Sequence, residues 1–192
     1  MLKNQLRPAI VVTLVLMLIT GLVYPGLVTA VAQLLFPRQG NGSLITVNGQ
    51  VIGSELIGQQ FSRAEYFHPR PSAAGNGYDD TLSAGSNKGP TDLKLADTLI
   101  AQAVDSAVRL DGAVKGSVPA DLATRSGSGL DPHISPASAL LQVNRVARAR
   151  GLDPQTVRAL VERHTDGRQF GLLGEPRVNV LQLNLALDSL KP

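Results

Sequence analysis

The side chains able to do chemistry are few and scattered. The chain holds no cysteine, which excludes a disulfide scaffold, a cysteine zinc site, an iron–sulfur cluster and a thiol nucleophile. Its histidines are His68, His133 and His164. No pair of them has the i, i+4 spacing that places two imidazoles on one helix face for a metal. His68 and His133 each adjoin a proline, where hydrogen bonding within a turn is the simpler role. Ser126, Ser128, Asp131 and His133 include the residue types of a hydrolase, but Gly127-Ser128-Gly129 lacks the Gly-x-Ser-x-Gly elbow that would expose a nucleophile. Gly85-Ser86-Asn87-Lys88-Gly89-Pro90 has glycines and a lysine at the wrong spacing for a phosphate-cradling loop. Asp79-Asp80 is the one close carboxylate pair, and a solvated loop explains it without catalysis. Arg145, Arg148, Arg150, Arg158 and Arg163 form a basic run that reads as a solvated face, with a docking surface for an acidic partner or lipid headgroups as the alternative.

Composition narrows the class. The 192 residues carry a formal charge of +3 and are 43% hydrophobic, so the chain is neither wholly disordered nor a phosphate-backbone binder. There is no tryptophan, and the few aromatic residues form no stacking platform. Nucleic acid is not an expected partner.

The average hides an asymmetry. From Pro8 to Pro37 there is no formal charge, and the run is mostly Val, Leu, Ile and Ala. About 20 apolar residues cross a hydrocarbon core, so this is a membrane-directed segment. Lys3 and Arg7 precede it, and the positive-inside rule then keeps residues 1–7 in the cytoplasm and sends the remainder across. Two readings stay open. The segment is an uncleaved anchor, or it is a signal peptide broken at Pro25-Gly26 and cut after Ala30-Val31-Ala32. Both place the rest of the chain outside the cytoplasm.

The elements that must position any site follow from local patterns. Leu44–Val47, Asn48-Gly49 and Gln50–Ile52 read as a hairpin with a type I′ turn. Residues 54–61 are a further strand or a helical turn. Residues 62–90 are rich in Gly, Pro, Ser and Asn without a clean period. Thr91 or Asp92 caps an amphipathic helix reaching Leu110, with Ala96, Leu99, Ile100, Ala103, Val104, Ala107 and Leu110 predicted inward. Val118–Leu122 starts a short element. Ser135-Pro136 opens a helix that Gly151 stops, with Ala139, Leu140, Val143, Val146 and Ala147 inward. Asp153-Pro154 opens the next. The chain closes on a short strand near Val178 and a helix capped by Asn179. The fold class is α+β: one N-terminal membrane-directed segment, a single transmembrane helix on the anchor reading, followed by a small soluble α+β domain.

Several segments, in order, carry a resemblance. They are Gly21-Leu22-Val23-Tyr24-Pro25, Asn41–Ile45, Gly53–Gln59, Tyr66-Phe67-His68-Pro69-Arg70-Pro71-Ser72, Ser83–Asn87, Ser126–Pro136 and Gly174–Leu187. Together they resemble the C subunit of the Kdp-type potassium-transporting P-type ATPase of bacteria. That resemblance implies a cytoplasmic tail over 1–7, an uncleaved transmembrane helix over 8–36 and an extracytoplasmic soluble domain over 37–192, in the bacterial inner membrane. It implies an accessory, non-catalytic subunit, a catalytic chaperone that stabilises the complex and raises the ATP affinity of the P-type subunit. The implied partners are a channel-like potassium-translocating subunit, the P-type ATPase catalytic subunit, a small F subunit and membrane lipid. No cofactor is implied to be covalently bound; ATP is used by the complex. The P-type phosphorylation motif Asp-Lys-Thr-Gly is absent, as an accessory subunit requires. ATP is cytoplasmic while the charge rule places the domain outside, so the effect on ATP affinity is expected to be allosteric. Tyr24, Pro25, Phe67, His68, Arg70, Ser86, Asn87, Asp131 and His133, taken from these segments, are the expected partner-facing residues. The alternative is an exported binding protein or enzyme, anchored or secreted, with no pump role.

Overall fold

The computed structural model describes residues 2–190. The chain divides into two compact units, one ending at Ile52 and one beginning at Gly53.

The first unit is dominated by a long helix, α1. It consists of Leu2–Leu18, a π-helical turn Ile19–Val23 and Tyr24–Leu35. The span Asn4–Leu35 is 32 residues long and none of its apolar window is buried. At 1.5 Å per residue it measures about 48 Å, more than the roughly 30 Å hydrocarbon core. Pro25-Gly26 does not break the helix. Proline has no N–H to give, and its ring crowds the preceding turn. The widened turn just upstream accommodates this, with the Tyr24 N–H reaching back to the Ile19 carbonyl. Thr20 Oγ1 likewise donates to the Leu16 carbonyl at 2.8 Å. A single helical turn, α2 (Pro37–Gly40), then leads to the hairpin of β1 (Leu44–Val47) and β2 (Gln50–Ser54). Asn48 and Gly49 have φ of 52° and 80°, as a type I′ turn requires.

The second unit is built on α3 (the π-helical Lys94–Ile100 continuing as Ala101–Asp111), the turn α4 (Ala120–Ala123), α5 (Pro136–Arg150), α6 (Pro154–Arg163) and α7 (Val180–Ser189). Three short strands, β3 (His133–Ile134), β4 (Thr165–Asp166) and β5 (Arg177–Asn179), form an antiparallel sheet in the order β3-β5-β4. His133 faces Asn179, and Thr165 faces Val178. β4 is too short to leave an alternating pattern in the sequence.

The core lies between α5, α6, α7 and the sheet. Phe67, Ile134, Val143, Val146, Val157, Val161, Val178, Leu183 and Leu187 meet there. Each such buried aliphatic side chain contributes about 1.5–3 kcal/mol relative to exposure. The ends of α5 are fixed as its sequence requires. Ser135 accepts the Ser138 N–H at 3.1 Å, Pro136 takes the first helical position, and Gly151 closes the helix at φ 67°. Asp121 adds a carboxylate at that N-terminus, accepting from the Ser135 N–H at 2.7 Å and the Ser138 hydroxyl at 2.7 Å. Asn179 caps α7 through the Gln182 N–H at 3.1 Å.

Two expectations change. Asp92 does cap α3, accepting the Leu95 N–H at 3.3 Å, but only Ala107 on that helix is buried and Ala96 and Leu110 are exposed. Its apolar stripe faces an open cleft instead of a closed core. The basic run is not a solvated face throughout. Arg145 is buried and Arg150 is half-buried, because both turn inward to bind backbone carbonyls.

Candidate functional site

Residues 64–72 cross the second unit without regular structure, so their backbone groups need partners from elsewhere. Side chains provide them. Asn184 Oδ1 accepts the Phe67 N–H at 2.8 Å and its Nδ2 donates to the Phe67 carbonyl at 3.0 Å. Gln142 does the same for the next residue, accepting the His68 N–H at 2.7 Å and donating to the His68 carbonyl at 3.1 Å. Each amide imitates one residue of a neighbouring strand. Arg145 Nη1 donates to the carbonyls of Ala64 at 2.6 Å and Tyr66 at 2.9 Å, while its Nη2 donates to Gln142 Oε1 at 2.7 Å and its Nε to Asp111 at 2.6 Å. Arg150 donates to the Glu65 carbonyl at 2.7 Å and to Asp188 at 2.8 Å, and lies 4.9 Å over the Tyr66 ring.

The segment then enters a polar node. Arg70 pairs with Asp131 at 2.8 Å. The other Asp131 oxygen accepts the His133 N–H at 3.0 Å. Burial pushes the Asp131 carboxyl up, but hydrogen bonds from His133 and the Arg70 charge outweigh it and hold the group below the usual carboxylate range. Burial, reinforced by the Arg145 charge, lowers His68 below the ordinary imidazole value and so favours the neutral ring. Its Nε2 lies 3.1 Å from the Arg63 carbonyl, which requires the proton on Nε2. Tyr78 donates to the Arg70 carbonyl at 2.7 Å, and burial, then the Asp131 charge, pushes its phenol far up. Ser72 Oγ donates to the Gly129 carbonyl at 2.6 Å and accepts the N–H groups of Ala74 and Tyr78.

Glycines let these strands of loop touch. A Cβ on Gly129, at φ 68°, would lie 2.6 Å from the Ala84 carbonyl oxygen and 2.7 Å from the Ala74 nitrogen. A Cβ on Gly58 would lie 2.6 Å from the Asp131 carbonyl oxygen. The Gly58 N–H donates to the Leu130 carbonyl at 2.8 Å, and the Ala84 N–H to the Ser128 carbonyl at 3.0 Å. Segments around 58, 72, 84 and 129, far apart in sequence, are therefore one packed unit.

Between this unit and α3 lies a cleft of about 450 Å³. Leu95, Leu99, Ile100 and Ala103 form its apolar wall; His68, Arg70, Tyr78 and Arg125 are among its polar lining. The Ser72 hydroxyl and the His68 ring are already engaged in structural hydrogen bonds. Among the described residues, no three His, Asp or Glu side chains gather as a metal site.

The residues singled out in the sequence fall in three places. His68, Arg70, Asp131 and His133 meet at the node or the cleft beside it, with Phe67 wholly buried in the core behind them. Ser86 is half-buried and Asn87 is exposed at φ 51°; neither lines the cleft. Tyr24 and Pro25 lie in α1, with Tyr24 exposed. The sequence patterns single out neither Gln142 nor Asn184, and they place Arg145 on a solvated face, whereas all three are buried. A buried amide or guanidinium on an otherwise apolar helix face is the signal that marks them.

Known proteins match nearly the whole chain. The family model for the K+-transporting ATPase, c chain (KdpC), matches residues 6–189. A protein of Gemmatimonas aurantiaca named potassium-transporting ATPase KdpC subunit is 65% identical over 188 residues, covering 97% of this chain and 94% of that protein. Proteins of the same name from Methylococcus capsulatus and Rhodospirillum rubrum are each 56% identical over 189 residues, covering 98% of this chain and 99% and 97% of theirs. With an apolar helix long enough to span a bilayer among the described residues and a small α+β unit later in the chain, the chain belongs to the KdpC family of potassium-transporting ATPase subunits.

Proposed function

We propose that this chain is an accessory subunit of an ATP-driven potassium importer, that it does no hydrolysis itself, and that it raises the ATP affinity of the P-type subunit while stabilising the complex. The observation that carries the reading is the match over residues 6–189 to a family named as the c chain of such an ATPase. Its partners are the channel-like potassium-translocating subunit, the P-type catalytic subunit, the small F subunit and membrane lipid. The transmembrane helix occupies residues 8–36, with residues 1–7 cytoplasmic and 37–192 extracytoplasmic. Lys3 and Arg7 before the apolar span support that orientation.

ATP and the domain then lie on opposite sides of the membrane, so the chain binds no nucleotide and acts through the partner's conformational equilibrium. It must contact the high-affinity state better than the low-affinity one. Tyr24 and Pro25 in α1, and Ser86, Asn87, His68, Arg70, Asp131 and His133 in the domain, face partner subunits or hold the loops that do. Phe67 anchors its segment from inside.

Sidedness has a direct test. The natural chain lacks cysteine, so a Gln155→Cys variant at an exposed position of α6 carries one thiol. A membrane-impermeant maleimide added outside spheroplasts labels it if the domain is extracytoplasmic. Labelling only after lysis contradicts the orientation.

A further inference from the structure

The segment between β4 and β5 presents an apolar tip that the fold leaves uncovered. Phe170 is 93% exposed, Leu172 78% and Leu173 61%. These side chains do not sit on a loose loop. Gln169 and Leu173 pair as an antiparallel bridge, with both N–H···O bonds at 2.9 Å. The Gly171 N–H donates to the Arg168 carbonyl at 3.1 Å, and Arg168 Nη2 bonds both carboxylate oxygens of Glu175 at 2.7 Å across the base. Phe170 itself is held at φ 54°, a conformation that a bulky side chain rarely adopts and that glycine or asparagine would take without strain. A strained, wholly exposed phenylalanine contributes nothing to the fold that a glycine would not do better. Such outliers cluster where a surface is shaped for a ligand.

Lipid and protein are the two surfaces that could cover it. A lipid-binding tip combines its apolar residues with cations free to meet anionic headgroups. The arginines flanking this one are each matched to a carboxylate, Arg168 to Glu175 and Arg177 to Asp166 at 3.8 Å. An aromatic knob fixed in advance, with its charges neutralised at the base, is what a preformed apolar pocket in a protein accepts at low ordering cost. We infer that Phe170, Leu172 and Leu173 form a docking knob that inserts into an apolar crevice of another chain of the ATPase; this rests on the pump reading above.

The test places the photocrosslinking residue p-benzoylphenylalanine at position 170 of the full chain, co-produced with the other ATPase chains in membranes. After irradiation the assembled complex is purified and adducts are identified by mass spectrometry. An adduct to an ATPase chain is expected. A complex that assembles but gives only lipid adducts, or none, overturns the knob and leaves the pump reading standing. A chain that joins no ATPase complex removes both. A second variant separates docking from folding. Phe170→Gly relieves the backbone strain, so the thermal midpoint of the purified chain is expected to hold or rise, while retention in the complex through detergent washing falls about tenfold. Unchanged retention overturns the proposal, as does a lowered midpoint that accounts for the loss.

Discussion

Asn184 of α7 and Phe67, 117 positions apart in the chain, are joined by two hydrogen bonds that satisfy both backbone groups of the phenylalanine. The Phe67 ring is meanwhile buried in the core. One residue thus anchors an irregular segment by its side chain and its main chain together. Asn184→Leu would orphan a buried N–H and a buried carbonyl. At about 1–3 kcal/mol for each unsatisfied group, a loss of roughly 2–6 kcal/mol is expected. Thermal unfolding of the detergent-solubilised chain measures it, and a midpoint equal to wild type would contradict the clasp.

Arg145 binds four acceptors on three segments, and its ion pair with Asp111 is buried on both sides. Arg145→Met leaves Asp111 buried and unpaired, with an expected cost of about 3–5 kcal/mol. Arg145→Lys should recover little, since an ammonium cannot reproduce the fork. Full recovery by lysine would show that charge alone matters.

Close backbone contact makes Gly129 and Gly58 sensitive. Gly129→Ala places its Cβ against two main-chain atoms at a positive φ, and Gly58→Ala against a carbonyl oxygen. Either should destabilise the chain by about 2 kcal/mol or more. Gly127→Ala, with nothing within 4 Å and no positive φ, is the matched control and should stay near wild type. Equal effects at all three positions would refute the packed-loop account.

Two partly buried groups, His68 and Asp131, make acid destabilising, and Asp79 and Asp92, also lowered by their hydrogen bonds, add to the carboxylate stage. His68 has its pKa lowered in the fold, so below its ordinary value of 6.5 the unfolded chain takes a proton that the folded chain resists. Asp131 is also lowered, so its contribution is complete above 3.8 and is lost as pH falls through its folded value. In both windows the unfolded state binds more protons, and stability therefore rises with pH. Unfolding midpoints collected from pH 7 to pH 3 should fall in two stages. His68→Gln should flatten the first and Asp131→Asn the second. An unchanged first stage in His68→Gln would assign it to another group.

Local signals fixed much of the fold in advance. Ser135-Pro136 and Gly151 bound α5, Asn48-Gly49 turns the hairpin, and Asn179 caps α7, each through residues adjacent in sequence. The site was less legible because its contacts are long-range. Nothing near Phe67 or His68 announces that amides from α7 and α5 will complete their hydrogen bonding. The arginines of α5 have solvated relatives at Arg148, and only the tertiary fold turns Arg145 inward. The α3 stripe had the right period for burial, but period cannot distinguish a core from a cleft wall. The tip at Phe170 escaped notice because exposed apolar residues and core residues look alike in a sequence.

The proposed role of this chain rests on coupling to nucleotide use. The most direct measurement is the ATP dependence of hydrolysis by purified complexes assembled with and without this chain, at saturating potassium. The account predicts a lower KM for ATP when the chain is present, and the same shift when nucleotide access to the extracytoplasmic face is blocked in sealed vesicles. An unchanged KM in two equally intact complexes would contradict it.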